Sequence, residues 1–395
     1  MSSASSSTTS SGGSIPHITD PLSRATALNW FGYHPREFDE TVLYIPKDRS
    51  RGATTDESRP TPPPLQASVA SAGDLGKFPL ELLSLIAQYT DLRSTSALRL
   101  VNRRMRLIVD ESVPYKFLVR HIPNTLETLD TADASQHFTV DELYHTLCTR
   151  TCSFCNEFGT YLWIPECVRC CFNCLSETPH LMALIESDAK MLFGVTKKSL
   201  VDVPSMLSIP GTYGMVDLYH GRRFRLYSQR RVVQAAIAHH GGNERYDTWL
   251  ETHGKKAREV FARPSRRGVS KPTFYLSARF MAATPFPYLE LATRKLHQGL
   301  ICRGCQIATI RSRHLMVTQT VAMGFIRRQA RMWLEDGLFE HFKECEDAKD
   351  IWVFMQEARN RPTELPGKAQ NGDIIATGFL RSLIERLWNG PPPQM

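Results

Sequence analysis

Three Cys-x-x-Cys pairs crowd into one stretch of the chain: Cys152-Ser-Phe-Cys155, Cys167-Val-Arg-Cys170 and, directly after it, Cys171-Phe-Asn-Cys174. A pair spaced this way turns two thiolates toward one cation, which is why the spacing recurs at tetrahedral metal sites. Two such pairs complete a four-cysteine site when about 15 to 20 residues separate them. Fifteen residues lie between Cys155 and Cys171, but only eleven between Cys155 and Cys167. The expected ligands are therefore Cys152, Cys155, Cys171 and Cys174. Four protein ligands leave no position for water, so the expected ion is a structural zinc. Cys148, Cys167 and Cys170 remain as packed thiols. A redox pair would need a βαβ setting, which this stretch lacks.

A second constellation lies downstream, at Cys302-Arg-Gly-Cys305 and His341-Phe-Lys-Glu-Cys345. His341 and Cys345 are four residues apart, so on a helix they share one face. Thirty-five residues separate Cys305 from His341, and spacing alone leaves the pairing open. His314 competes as the fourth ligand, but it follows Arg311-Ser312-Arg313, whose charges repel a cation. The alternative is a packed Cys345 with His341 at the surface.

The elements that would position these residues belong to a chain of 395 residues, enough for two or three domains. Seven of its ten cysteines lie between Cys148 and Cys174, and the first residues lack the basic start and apolar centre of a secretory signal. Clustered thiols in a reducing compartment read as metal ligands and not as a disulfide framework. Arg24, the first arginine, follows Pro16 and Pro21, a poor fit to a mitochondrial presequence. The expected location is cytoplasmic and/or nuclear. No apolar run approaches the length of a membrane span. Phosphate loops, nucleophile elbows and His-Glu-x-x-His helices are lacking, and the His239-His240 pair beside Gly241-Gly242 has no carboxylate at helical spacing, so no enzyme is expected.

Residues 1–73 read as a disordered low-complexity tail: Ser-rich sequence, an aromatic patch at Trp30, Phe31 and Tyr33, then Arg59 to Pro64. Residues 77–110 give two amphipathic helices. Pro79 suits a helix start, and Leu82, Leu85, Ile86 and Tyr89 repeat on one face. Asp91 and Ser94 cap a second helix with Leu98, Val101, Met105 and Ile108 on one side. The rest is mixed, with helices expected over His180–Phe193, Arg230–His240 and Ile374–Trp388 and a strand over Tyr161–Ile164 inside a hairpin. The expected fold is mainly α with small β elements: the tail, a helical unit at 74–120, and an α+β, zinc-stapled region at 121–395. That region would hold the four-cysteine hairpin at 148–178 and a Cys-Cys-His-Cys site at 300–350.

Phe78-Pro79-Leu80-Glu81-Leu82-Leu83, then Ile86, Leu98, Val101, Asn102, Arg103, Arg104 and Val109, resemble the F-box. Phe78 stands where Leu is more usual, and Met105 where Trp is common. The resemblance covers about a tenth of the chain and implies a three-helix unit that binds the Skp adaptor, and through it a cullin-RING ubiquitin ligase. By position, the implied contacts are Phe78, Pro79, Leu82, Leu83 and Ile86. A looser similarity, to a group of fungal F-box proteins, runs from about 77 to 355. It rests on Thr149 to Cys152, Ile209 to Gly214, Thr284 to Tyr288, Cys302 to Cys305, His341, Phe342, Cys345 and Trp352. It implies architecture, including the second zinc site, and leaves the protein substrate open. The rival is a basic, zinc-containing nucleic-acid binder. The formal charge is +8, and Arg222, Arg223 and Arg225 surround Phe224, with Arg230, Arg231, Arg263, Arg266 and Arg267 beyond. No recognition helix follows the cysteine pairs, which argues against nucleic acid as a partner.

Overall fold

Asp91 accepts the Ser94 amide at 2.9 Å and opens the helix Leu92–Val101, directly after the helix Leu80–Tyr89 that follows Pro79. The expected second helix is not continuous. Asn102 breaks it and caps a third helix, Arg103–Glu111, by accepting the Met105 amide at 2.8 Å. The apolar stripe is cut at the same point: Met105 and Ile108 pack with Leu83, whereas Val101 is exposed. A bidentate pair from Arg99 to Asp110 (2.5 and 3.2 Å) joins the second helix to the third. This computed structural model describes residues 31–45, 77–214, 218–262, 271–314 and 318–359, with Arg24, Leu28 and Leu75.

Backbone hydrogen bonds tie the three-helix unit to residues 135–140. Leu92 N donates to Phe138 O (3.0 Å), Arg93 N to Ser135 O (3.3 Å) and Val140 N to Thr90 O (3.3 Å). Helices Val113–His121, Pro123–Thr131 and Val140–Cys148 then lead to the first cysteine pair, the last of them opened by a capping box between Thr139 and Glu142.

Tyr161, Leu162 and Trp163 form the middle strand of an antiparallel sheet, flanked by Val168–Cys170 and Ala283–Pro285. All three residues are fully buried, as a central strand covered on both faces must be. A second sheet sets Arg225–Ser228 between Ala183–Ile185 and Ser205–Leu207. The expected helix over 180–193 is shorter than its pattern suggested: Ala183–Ile185 is strand and the helix spans Glu186–Phe193. The helix Gln229–His240 matches expectation. Residues 374–388 lie outside the described residues.

The chain is mainly helical with small strands, and it divides into two compact units. One is Arg36–Gln298, which holds the three-helix unit and the first cysteine cluster. The other combines Met1–Pro35 with Gly299–Met395 and holds the second cluster. The expected region over 121–395 thus falls partly in each unit. The expected tail also needs correction over 31–45, where Phe31, Phe38, Val42 and Leu43 are buried. Phe38 packs edge-on against Phe172 at 4.5 Å within the larger unit. Trp30 and residues 59–64 lie outside the described residues.

Candidate metal centres

The first centre is built by a tight turn and a short helix. Thr151 and Phe158 bridge the turn, Cys152 N donates to Glu157 O (2.7 Å), and Asn156 N donates back to Cys152 O (3.1 Å). Asn156 takes the left-handed backbone conformation (φ 61°), which Asn tolerates better than most residues. Cys171 precedes the helix Phe172–Glu177 and accepts the Cys174 amide on its sulfur at 3.4 Å. The sulfurs of Cys152, Cys155, Cys171 and Cys174 all lie within 4.8 Å of one another, with Cys155 and Cys171 3.6 Å apart. A tetrahedral ion with metal–sulfur bonds of about 2.3 Å would set its sulfurs about 3.8 Å apart. The expected set is therefore brought together, placed to bind a metal ion.

The leftover cysteines are not among these four. Cys167 turns the hairpin in the left-handed region (φ 52°), and its thiol faces the Thr146 hydroxyl at 3.9 Å. Burial pushes that thiol up to about 12, which suits a packed neutral group. Cys170 neighbours Cys171 in extended chain, where successive side chains take opposite faces, and burial raises its thiol as well.

Electrostatics within the cluster set its thiols against one another. The hydrogen bond between them holds Cys152 down at about 5 and pushes Cys171 up. Cys174 is pushed up to about 12, mainly by burial. Thiols this close cannot all ionise unless a positive charge sits among them.

The second centre joins two separated pieces of chain, 302–305 and 341–345. Cys302 ends the strand Ile301–Cys302, and Cys305 lies in the first turn of the helix Arg303–His314. His341 occupies the last turn of the helix Glu335–Glu344, and Cys345 sits at its end, before the helix Glu346–Arg359. The four ligand atoms lie within 4.8 Å of one another. Cys305 Sγ is 3.2 Å from His341 Nε2, and Cys345 Sγ is 3.9 Å from both Cys302 and Cys305. His341 stacks on Trp333 at 4.9 Å, which fixes its ring. Gly304 is required by close approach: a Cβ there would stand 2.5 Å from the Ala348 amide nitrogen. Hydrogen bonds from Cys302 and Cys305 hold the Cys345 thiol well below its ordinary range, while Cys302 is driven up. This set too is placed to bind a metal ion.

No protein-family model, curated protein or solved structure matches the chain.

The other expected residues divide. Phe78, Pro79, Leu82 and Ile86 are exposed on or just before the helix Leu80–Tyr89. Leu83 is not on that face; it is 1% exposed and packs with Met105 and Ile108. Several arginines of the basic set are engaged within the unit. Arg223 donates to Ser208 O and Thr131 O, Arg225 pairs with Asp133 (3.4 Å), and Arg230 with Glu166 (3.4 Å). Phe224 packs against Phe274 at 5.1 Å. Arg263, Arg266 and Arg267 lie outside the described residues. The His240 ring packs tilted against that of Trp249 at 5.2 Å.

Arg169, between Cys167 and Cys170, is a positioning residue that the sequence did not reveal. It is buried, and its guanidinium donates to the carbonyls of Gly159 (2.7 Å), Phe286 (2.8 Å), Pro287 (2.7 Å) and Thr146 (3.0 Å). It thus pins the helix before the first pair, the end of the turn, and the 286–287 loop to the hairpin joining the pairs. Burial lowers its guanidinium to about 9, still charged at neutral pH. Nothing in its sequence context marks it apart from surface arginines.

Proposed function

We propose that this chain is a non-catalytic, substrate-recruiting adaptor of a cullin-RING ubiquitin ligase. Its helix Leu80–Tyr89 would dock on the Skp adaptor, and zinc would be the ion at both centres. One observation carries the docking: Phe78, Leu82, Leu85, Ile86 and Tyr89 are 41–65% exposed on a single face, while Leu83 and Ala87 seat the opposite side in the core. A run of large apolar side chains left uncovered on an anchored helix has the form of a groove-binding helix. The ties from Leu92, Arg93 and Val140 to their neighbours keep that face fixed to the rest of its unit. A ligase adaptor needs such stiffness to present substrate at a set place.

Four cysteines, or three with one histidine, at tetrahedral spacing favour zinc over harder cations. With every position filled by protein, zinc would supply cross-linking and no catalysis. Its part is to fix the turn to the short helix at one centre, and a strand to two helices at the other.

Titration calorimetry with purified Skp adaptor tests the docking. The Leu82→Asp, Ile86→Asp double variant should bind at least about 100-fold more weakly, a loss of about 2.7 kcal/mol. Its zinc content and melting temperature should stay near those of the parent. Leu83 is left unaltered because a carboxylate there would break the core. Equal affinity of the parent and the double variant would exclude this face as the dock.

A further inference from the structure

The second centre has a neighbour that is distant in sequence. Gly32 and Tyr33 pair antiparallel with Cys302 and Ile301, so the segment forms a two-stranded sheet with the strand that carries a candidate metal ligand. Phe31 is 2% exposed and lies 5.1 Å from the ring of Phe342 and 6.0 Å from that of Trp352. A Cβ at Gly32 would stand 2.7 Å from the Leu338 side chain, so a residue without one suits that position. The Arg303 guanidinium covers the Tyr33 ring at 4.6 Å. Large apolar, glycine, aromatic is thus the order that this edge accepts.

The walls of the Phe31 pocket coincide with the pieces that the ligands join. Cys302 belongs to the edge strand, Phe342 follows His341, and Trp352 lies on the helix that starts after Cys345. Phe31 belongs to the same buried cluster as Cys302, Cys305 and Cys345. An ion held by Cys302, Cys305, His341 and Cys345 would keep strand and walls in register, and the paired segment would favour the geometry that such an ion needs. Linkage makes the two effects reciprocal.

We propose that the Ile301–Cys302 strand and its Phe342–Trp352 pocket form a metal-dependent peptide dock, with residues 31–34 of this chain as its resident ligand. The mode is strand addition: backbone pairing gives affinity, and the pocket gives selectivity for the apolar–glycine–aromatic order. The proposal rests on metal occupancy of the second centre, which is measured separately.

The probe is a fluorescein-labelled peptide of residues 24–36, added to the full-length chain and followed by anisotropy. The parent should bind it weakly, because its own segment fills the dock. The full-length Phe31→Ala variant should bind at least tenfold more tightly and lose that binding when zinc is chelated. A peptide carrying Gly32→Val should not bind. Equal binding by parent and variant, or binding untouched by chelation in a chain shown to hold two zinc ions, would overturn the dock. A parent holding no ion at the second centre would instead overturn the metal reading. Should Phe31→Ala misfold, hydrogen exchange on the parent decides. Amides 31–33 should lose protection in Cys345→Ser while those of 161–163 keep it; retained protection at 31–33 would refute the linkage.

Discussion

The two metal centres solve the same problem at different ranges. At the first, a turn and a six-residue helix bring four sulfurs together through neighbouring hydrogen bonds, and the hairpin between them supplies the middle strand and one edge strand of a sheet. At the second, no local turn could do it: the ligands sit on a strand end, a first helical turn, and a helix–helix junction. The first ion would reinforce a structure that local pairing already favours. The second would replace contacts that the intervening chain cannot supply, with the strand at Gly32–Tyr33 closing one side. Loss of metal should therefore reach different parts of the molecule from each centre.

Ligand removal should have the largest effect. Structural zinc contributes on the order of 10 to 16 kcal/mol to small folds. Cys171→Ser should expose amides 161–163 and 168–170 to hydrogen exchange and make the 36–298 unit protease-sensitive. Cys345→Ser should free 301–302 and 335–352 and leave 161–163 protected. Loss of protection at both places from either variant would break the contrast.

Arg169→Met comes next. It strands several buried carbonyls, each costing about 1 to 3 kcal/mol when left unpaired. A loss of at least about 3 kcal/mol in denaturant unfolding is expected, confined to the unit of the first centre. A change under about 1 kcal/mol would show that Arg169 does not hold the turn in place.

At the second centre, Gly304→Ala drives a methyl into the Ala348 backbone and should cost about 1 to 3 kcal/mol. The check is faster zinc loss to a chelator from that centre alone. Cys167→Ser should have the smallest effect, within about 1 kcal/mol, because its thiol meets only the Thr146 hydroxyl and carries no ligand role. Zinc loss from Cys167→Ser would show that the wrong pair has been assigned.

The contrast in range also explains what could be read from the sequence. Cys152, Cys155, Cys171 and Cys174 were legible because a turn-based site leaves its geometry in residue spacing. Cys302, Cys305, His341 and Cys345 were legible only by adding a resemblance, since long-range packing leaves no spacing rule. The helix Leu80–Tyr89 and its apolar face of Leu82, Leu85, Ile86 and Tyr89 followed from periodicity; Leu83 was named as a contact by the resemblance alone, and it went to the core. Asn102 interrupts a stripe that would otherwise continue, because its side chain satisfies the Met105 amide and starts a new helix. Phe31 looked incidental because its partners, Phe342 and Trp352, lie at the other end of the chain.

Native mass spectrometry of the full-length chain mixed with Skp adaptor bears most directly on the central claim, since one spectrum reads both docking and metal. The expected species is a one-to-one complex carrying two zinc ions, reduced to one ion in either Cys171→Ser or Cys345→Ser. The Leu82→Asp, Ile86→Asp variant should carry two zinc ions and no bound adaptor. Adaptor bound equally well by that double variant would contradict the adaptor reading, and a metal-free chain would contradict the zinc assignment.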